Sequence, residues 1–160
     1  MTPTNGQRGL GWTLVAIQFV LLGGIASEVR HTRRTPGWLR GVGVVGAVAG
    51  GAIVGLASAR LGGQLTAHPA PASEAVLRTD GPYRFVRHPI YSGLLLFGAG
   101  LAAIAGTARA AALLGGLVAL LSFKARFEEG LLVSRFPDYE AYASRTPRFV
   151  PRSSLFDSTH

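Results

Sequence analysis

The chain contains no cysteine, a single lysine and a single methionine, and its eight acidic residues face fifteen arginines. Without cysteine there is no disulfide framework and no thiolate metal site. The four histidines, His31, His68, His88 and His160, stand at no spacing that suits zinc, so no metal is expected. Charge as a whole is also scarce. Only 15% of the residues are charged, against roughly a quarter in an average soluble domain. Nearly half of the 160 residues are apolar, and they are clustered in long runs, which points to a membrane rather than a soluble core.

The net charge is +8. A basic balance suits either nucleic acid or loops facing an anionic membrane surface. The arginines lie between apolar runs rather than in one dense patch, which excludes a nucleic-acid partner and favours membrane lipids.

Four apolar segments are evident, at 10–27, 41–59, 90–105 and 110–123. The first two approach the ~20 residues needed to cross a hydrocarbon core, while the last two are shorter and read as a helical hairpin turning near Gly106-Thr107-Ala108-Arg109. The first segment lacks a good cleavage site and is taken as a retained helix. The expected fold class is therefore an all-α integral membrane bundle of about four transmembrane helices with a partly helical C-terminal tail, forming one domain over 1–160. An inside N-terminus places eleven of the sixteen Lys and Arg residues inside and five outside, the outer set being Arg30, Arg33, Arg34, Arg40 and Arg109. With either orientation, the loop before the third helix and the C-terminal tail share a face.

Gly41-Val42-Gly43-Val44-Val45-Gly46 matches a dinucleotide fingerprint, but it lies inside an apolar run with no preceding strand. Gly46 and Gly50, then Gly51 and Gly55, are small residues four apart and read as close helix packing. The stretch His68 to Ser73 has a linker composition.

Three blocks carry chemistry. In RHPIYSG, Pro89 suits the first turn of a helix and sets Arg87 and His88 at its mouth. Tyr91 and Gly98 share a helix face, and Gly98-Ala99-Gly100 leaves a wall without side chains where a flat ligand could approach. Anchoring of Arg87 and Tyr91 in the headgroup region is the competing reading. In FEEGLL, Glu128 and Glu129 lie at a membrane boundary, where a charge calls for a partner, a ligand or water. The third block, FPDYEAYASRTPRFVP, is too short to cross a membrane and reads as an interfacial helix or as a lid over a site.

Together, GPYRFVRHPIYSG, EEGLL and FPDYEAYASRTPRFVP resemble the catalytic half of the isoprenylcysteine carboxyl methyltransferase family, which is related to the phospholipid methyltransferases. The resemblance covers about Leu77 to Pro151. It implies S-adenosylmethionine bound between the third and fourth helices and the tail. By matching position, Arg87, His88, Pro89 and Tyr91 would border the cofactor, and one of Glu128 and Glu129 would hold it. Gly98 and Gly100 resemble a glycine pair of the phospholipid branch, and Tyr142 and Arg145 fall where the family closes its pocket. Arg87, Arg145 and Glu129 are the catalytic candidates. The reaction implied is methyl transfer to a lipophilic acceptor, chiefly the carboxylate of a prenylcysteine-like compound, in the cell membrane with the site facing the cytoplasm.

A carboxylate acceptor is already ionised and needs no general base. A lipid amine or a phenol would need one, and His88 or Glu129 is the candidate. A non-enzymatic scaffold would explain the glycine-rich helices but not the three blocks. A transporter half calls for charges deep inside the helices, where none is expected here.

Overall fold

The computed structural model describes residues 5–31, 35–62 and 77–151. The linker-like stretch at His68 lies outside them. Among the described residues five α-helices follow one another: α1 (Asn5–Glu28), α2 (Gly37–Leu61), α3 (Pro89–Ala105), α4 (Ala108–Arg135) and the short α5 (Tyr139–Arg145). Among the described residues, α1, α2 and α4 are long and apolar enough to cross a membrane, and α3 is a shorter apolar helix.

The helices are set by local chemistry. Pro89 occupies the first turn of α3, where its missing N–H is no loss. Gly106 ends α3 in the left-handed region at φ 64°, its N–H bonding the Ala102 carbonyl. Thr107 then caps α4 by accepting from the Ala110 N–H, and its hydroxyl donates to Glu28 of α1. The α3–α4 hairpin thus turns where the sequence places it.

The fourth helix runs further than the apolar segment 110–123. Lys124, Arg126, Glu128 and Glu129 all lie within α4, not beyond it. These residue types are good helix formers, so an end of hydropathy is not an end of helix. The inward stripe Ala110, Leu117, Leu121 continues on the same face into Lys124, which is 4% exposed. A charge therefore does lie deep in the bundle, contrary to the sequence-based expectation.

The core joins α1, α3 and α4 through Leu22, Ile25, Ala105, Ala110, Leu117 and Leu121. The second helix packs along α3 through glycines. A Cβ on Gly50 would lie 2.6 Å from the Gly93 carbonyl oxygen, and one on Gly100 would lie 2.5 Å from that of Gly43. The second helix thus meets α3 backbone to backbone, as small residues allow in a bilayer. Gly46 faces Gly100, as expected, whereas Gly51 and Gly55 face open space and are not part of this contact. Large apolar side chains point outward, including Trp12 at 60%, Phe19 at 65% and Trp38 at 72% exposed. Such a surface suits lipid, not water.

Candidate functional site

At one end of the bundle four segments meet: the turn Gly81–Arg84 with Arg87 and His88 after it, the start of α3, the end of α4, and the tail from α5 to Phe149. At the ideal helical rise, α4's 28 residues extend about 42 Å, some 12 Å more than a ~30 Å hydrocarbon core. Its last two turns, which carry Glu128 and Glu129, therefore reach the polar boundary.

Glu129 is the centre of the cluster. Its Oε1 accepts from Arg87 Nε at 3.0 Å and Arg148 Nε at 3.0 Å, and lies 3.0 Å from His88 Nε2. Its Oε2 accepts from an Arg148 terminal nitrogen at 2.5 Å, making that pair bidentate. Arg87 also donates to the carbonyls of Ala143 at 2.6 Å and Thr146 at 2.8 Å. It thereby caps the C-terminal end of α5, where a cation is favoured.

Glu128 is less committed. Tyr91 donates its hydroxyl to Oε1, and His88 Nδ1 lies 3.6 Å from Oε2. The His88 and Tyr91 rings stack with centroids 5.4 Å apart. Burial opposes a charge on His88, but its hydrogen bonds to Glu128 and Glu129 outweigh that and hold its pKa above the usual histidine range. Arg148 is likewise pushed up by its bonds to Glu129.

The tail is strapped across this end by backbone pairing. The N–H groups of Arg87 and His88 donate to the carbonyls of Pro147 at 2.8 Å and Arg148 at 3.1 Å. The Ser92 hydroxyl donates to the Phe149 carbonyl at 2.7 Å. Tyr142 is buried and donates its hydroxyl to the Tyr83 carbonyl at 2.5 Å, with burial pushing its pKa up to about 12. Beside them Tyr139 is buried, and its hydroxyl has no hydrogen-bond partner among the described residues.

The structure brings together Arg87, His88, Pro89, Tyr91, Glu128, Glu129 and Tyr142 from three separate blocks. It does not bring Arg145 in. That side chain is exposed and donates to the Ala141 carbonyl one turn back on α5. Arg148, three residues on, occupies the place expected of it. An arginine on α5 follows the helix surface, whereas one in the extended strap beside His88 points at α4. Nor do Gly98 and Gly100 form an open wall. A Cβ on Gly98 would lie 3.0 Å from Leu117, and Gly100 faces α2, so both are filled by helix packing. Besides Arg148, the sequence reading passed over Lys124, whose ammonium donates to Gln18 of α1 at 3.1 Å and lies 5.1 Å from the Tyr91 ring centroid. Both Lys124 and Gln18 fall on the buried stripes of their helices, a pattern present in the sequence.

An apolar helical bundle carrying a buried ionic cluster at one end defines an integral membrane protein with a polar site at the boundary. Residues 39–138 match the phospholipid methyltransferase family, and the chain belongs to that family. Among individual proteins, it is 42% identical over 83 residues to the nickel-cobalt-cadmium resistance protein NccN of Alcaligenes xylosoxydans xylosoxydans, covering 51% of this chain and 39% of that protein. It is 42% identical over 81 residues to the cobalt-zinc-cadmium resistance protein CzcN of Cupriavidus metallidurans, covering 50% and 38%. It is 39% identical over 79 residues to the protein-S-isoprenylcysteine O-methyltransferase of Schizosaccharomyces pombe, covering 48% and 33%. The matches thus span about two fifths or less of the length of these relatives.

Proposed function

We propose that this chain is an S-adenosylmethionine-dependent membrane methyltransferase that acts on a lipophilic acceptor, with carboxyl O-methylation of a prenylcysteine-like compound as its reaction. The observation that carries this is the meeting of Arg87, His88, Tyr91, Glu128, Glu129 and Arg148 at the boundary end of an apolar bundle. Family membership and the similarity to a prenylcysteine methyltransferase support it.

The residues suit the cofactor. The buried hydroxyl of Tyr139, without a partner among the described residues, could donate to or accept from a ligand. Glu128 retains accepting capacity for an ammonium or ribose hydroxyls, while Glu129 is engaged by three cationic side chains. Glu128 is therefore the contact residue in this reading, and Glu129 holds the cluster and the strap in place. Arg148, about one third exposed, presents its remaining donors to a carboxylate. Held by Glu128 and Arg148, S-adenosylmethionine would supply an electrophilic methyl group, carried on its sulfonium, for transfer to an acceptor oxygen. A carboxylate acceptor gives up no proton, so no side chain is required as base. The protein contributes alignment and exclusion of water beneath the strap. The strap-bearing end would face the cytoplasm, in which case an epitope tag at Arg109 reads outside.

The test is calorimetric titration of S-adenosylmethionine into purified protein, with mass spectrometry of methylated prenylcysteine. Glu128→Gln should weaken binding roughly tenfold to a hundredfold, the cost of one charged contact at about 1.5–3 kcal/mol. No saturable binding by the wild-type protein would defeat the proposal.

A further inference from the structure

Lys124 is the charge that the ionic cluster leaves over. Arg87 and Arg148 pair with Glu129, and His88 lies between the two carboxylates, but no ion pair engages Lys124 among the described residues. Its one hydrogen bond goes to the neutral amide of Gln18, and its other close neighbour is the face of Tyr91. An ammonium has three donors, so two remain available.

Its direction excludes ordinary headgroup anchoring, although its backbone lies only one helical turn, about 6 Å, inside the boundary that Glu128 reaches. Glu28 marks the far end of the bundle through its contact with Thr107. Gln18 lies ten residues earlier on α1, about 15 Å along the axis and near the middle of a ~30 Å core. A snorkelling lysine would turn toward the near boundary, where Glu128 lies one helical turn along α4. This one turns inward to Gln18. An ionisable group at such depth is costly and marks a functional position.

Tyr91 ties this position to the cluster, because its ring lies under the ammonium while its hydroxyl donates to Glu128. An anion on Lys124 would therefore sit within one side chain of the carboxylate assigned to the cofactor. We infer that Lys124, oriented by Gln18, is the acceptor-positioning residue, its ammonium holding the carboxylate of a lipophilic acceptor that enters from the bilayer. This rests on the methyltransferase reading above. The lysine's four-carbon stem lets the ammonium leave Gln18 and follow the anion.

The test compares N-acetyl-S-farnesylcysteine with its neutral carboxamide, both titrated into detergent-solubilised protein saturated with S-adenosylhomocysteine. The wild type should bind the acid tenfold to a hundredfold tighter than the amide. Lys124→Met, similar in length and apolar, should bring that ratio near one, lower neither the melting temperature nor the S-adenosylhomocysteine affinity, and leave binding of the amide intact. Lys124→Arg should keep the preference for the acid. A wild-type ratio near one overturns the inference, as does an unchanged ratio in Lys124→Met. The wild-type ratio decides alone should that variant not fold. Failure of the wild type to bind S-adenosylhomocysteine is a separate result and removes the methyltransferase reading itself.

Discussion

Glu129→Gln should release the tail while leaving the bundle intact. The carboxylate accepts from Arg87 Nε and from two nitrogens of Arg148, and lies beside His88 Nε2. The amide has nearly the same shape but carries no charge, and its NH2 group faces donors. Breaking a buried pair by removing one partner costs about 3–5 kcal/mol. The Arg148 side chain is 32% exposed, so solvent recovers part of that, leaving roughly 2–4 kcal/mol. Arg87, Arg148 and His88 tie this carboxylate to the α5–Phe149 segment, so the loss falls on local opening of the strap. Hydrogen exchange reads it directly. The amides of Arg87 and His88, whose bonds to Pro147 and Arg148 close the strap, and those of Tyr142 and Thr146, which bond within α5 and its cap, should exchange roughly thirtyfold to a thousandfold faster. Amides of α2 should not change. Glu128→Gln, which touches Tyr91 and His88 but no tail residue, should alter the same amides less than fivefold. Unchanged strap exchange in Glu129→Gln would show that the backbone pairs of Pro147 and Arg148 hold the tail without the ion cluster, and would refute the assignment of Glu129 as its anchor.

Gly50→Ala should cost about 2–3 kcal/mol of stability, because its Cβ would meet the Gly93 carbonyl at 2.6 Å and backbone cannot yield as a side chain can. Gly51→Ala, next in sequence but facing open space, should stay within ~0.5 kcal/mol; equal thermal shifts for the two in detergent would refute the α2–α3 contact. His88 has a raised folded pKa, so its protonated form adds stability that is fully present below about pH 6.5. That contribution is lost as pH rises through the folded value. Melting temperature should therefore fall across that window in the wild type and less so in His88→Gln, and parallel profiles would exclude an imidazolium between Glu128 and Glu129.

Much of this arrangement was legible in the sequence, for definite reasons. The α3–α4 hairpin was readable because Gly106 and Thr107 are a helix stop and a helix cap in adjacent positions. The grouping of Arg87, His88 and Tyr91 with Glu128 and Glu129 followed from hairpin geometry, which returns the chain to its starting face. The end of α4 was not readable from hydropathy, because Lys124 to Glu129 are helix formers that merely change the environment of one continuous helix. The choice between Arg145 and Arg148 was not readable either. It depends on where α5 ends and on the strap pairing with Arg87 and His88, both tertiary features. Gly98 and Gly100 were misleading because a glycine that admits a ligand and one that admits a neighbouring helix look alike in sequence.

The balance of charge around the site bears on the acceptor. Two carboxylates, Glu128 and Glu129, face the guanidinium groups of Arg87 and Arg148 and the ammonium of Lys124, with His88 adding a further charge when protonated. The cluster by itself is thus already positive. S-adenosylmethionine, on the proposed function, would add a sulfonium and an ammonium against one carboxylate, and so would bring a further positive charge. In a low-dielectric setting like charges a few ångströms apart repel far more strongly than in water. A protonated lipid amine would add to that surplus and would also have to lose its proton before attack. A carboxylate acceptor would remove one unit of the surplus, would meet Lys124 as a partner and would need no proton transfer before attack. The same surplus explains why the Tyr91 hydroxyl is useful beside Glu128: it is a neutral donor that orients the carboxylate without adding positive charge. Replacing Tyr91 by phenylalanine would leave Glu128 free to turn toward Lys124, neutralising the position proposed for the acceptor. On this reasoning Tyr91→Phe should weaken the preference for acid over amide, in the same direction as Lys124→Met but to a smaller extent, and an undiminished preference in that variant would separate the two positions.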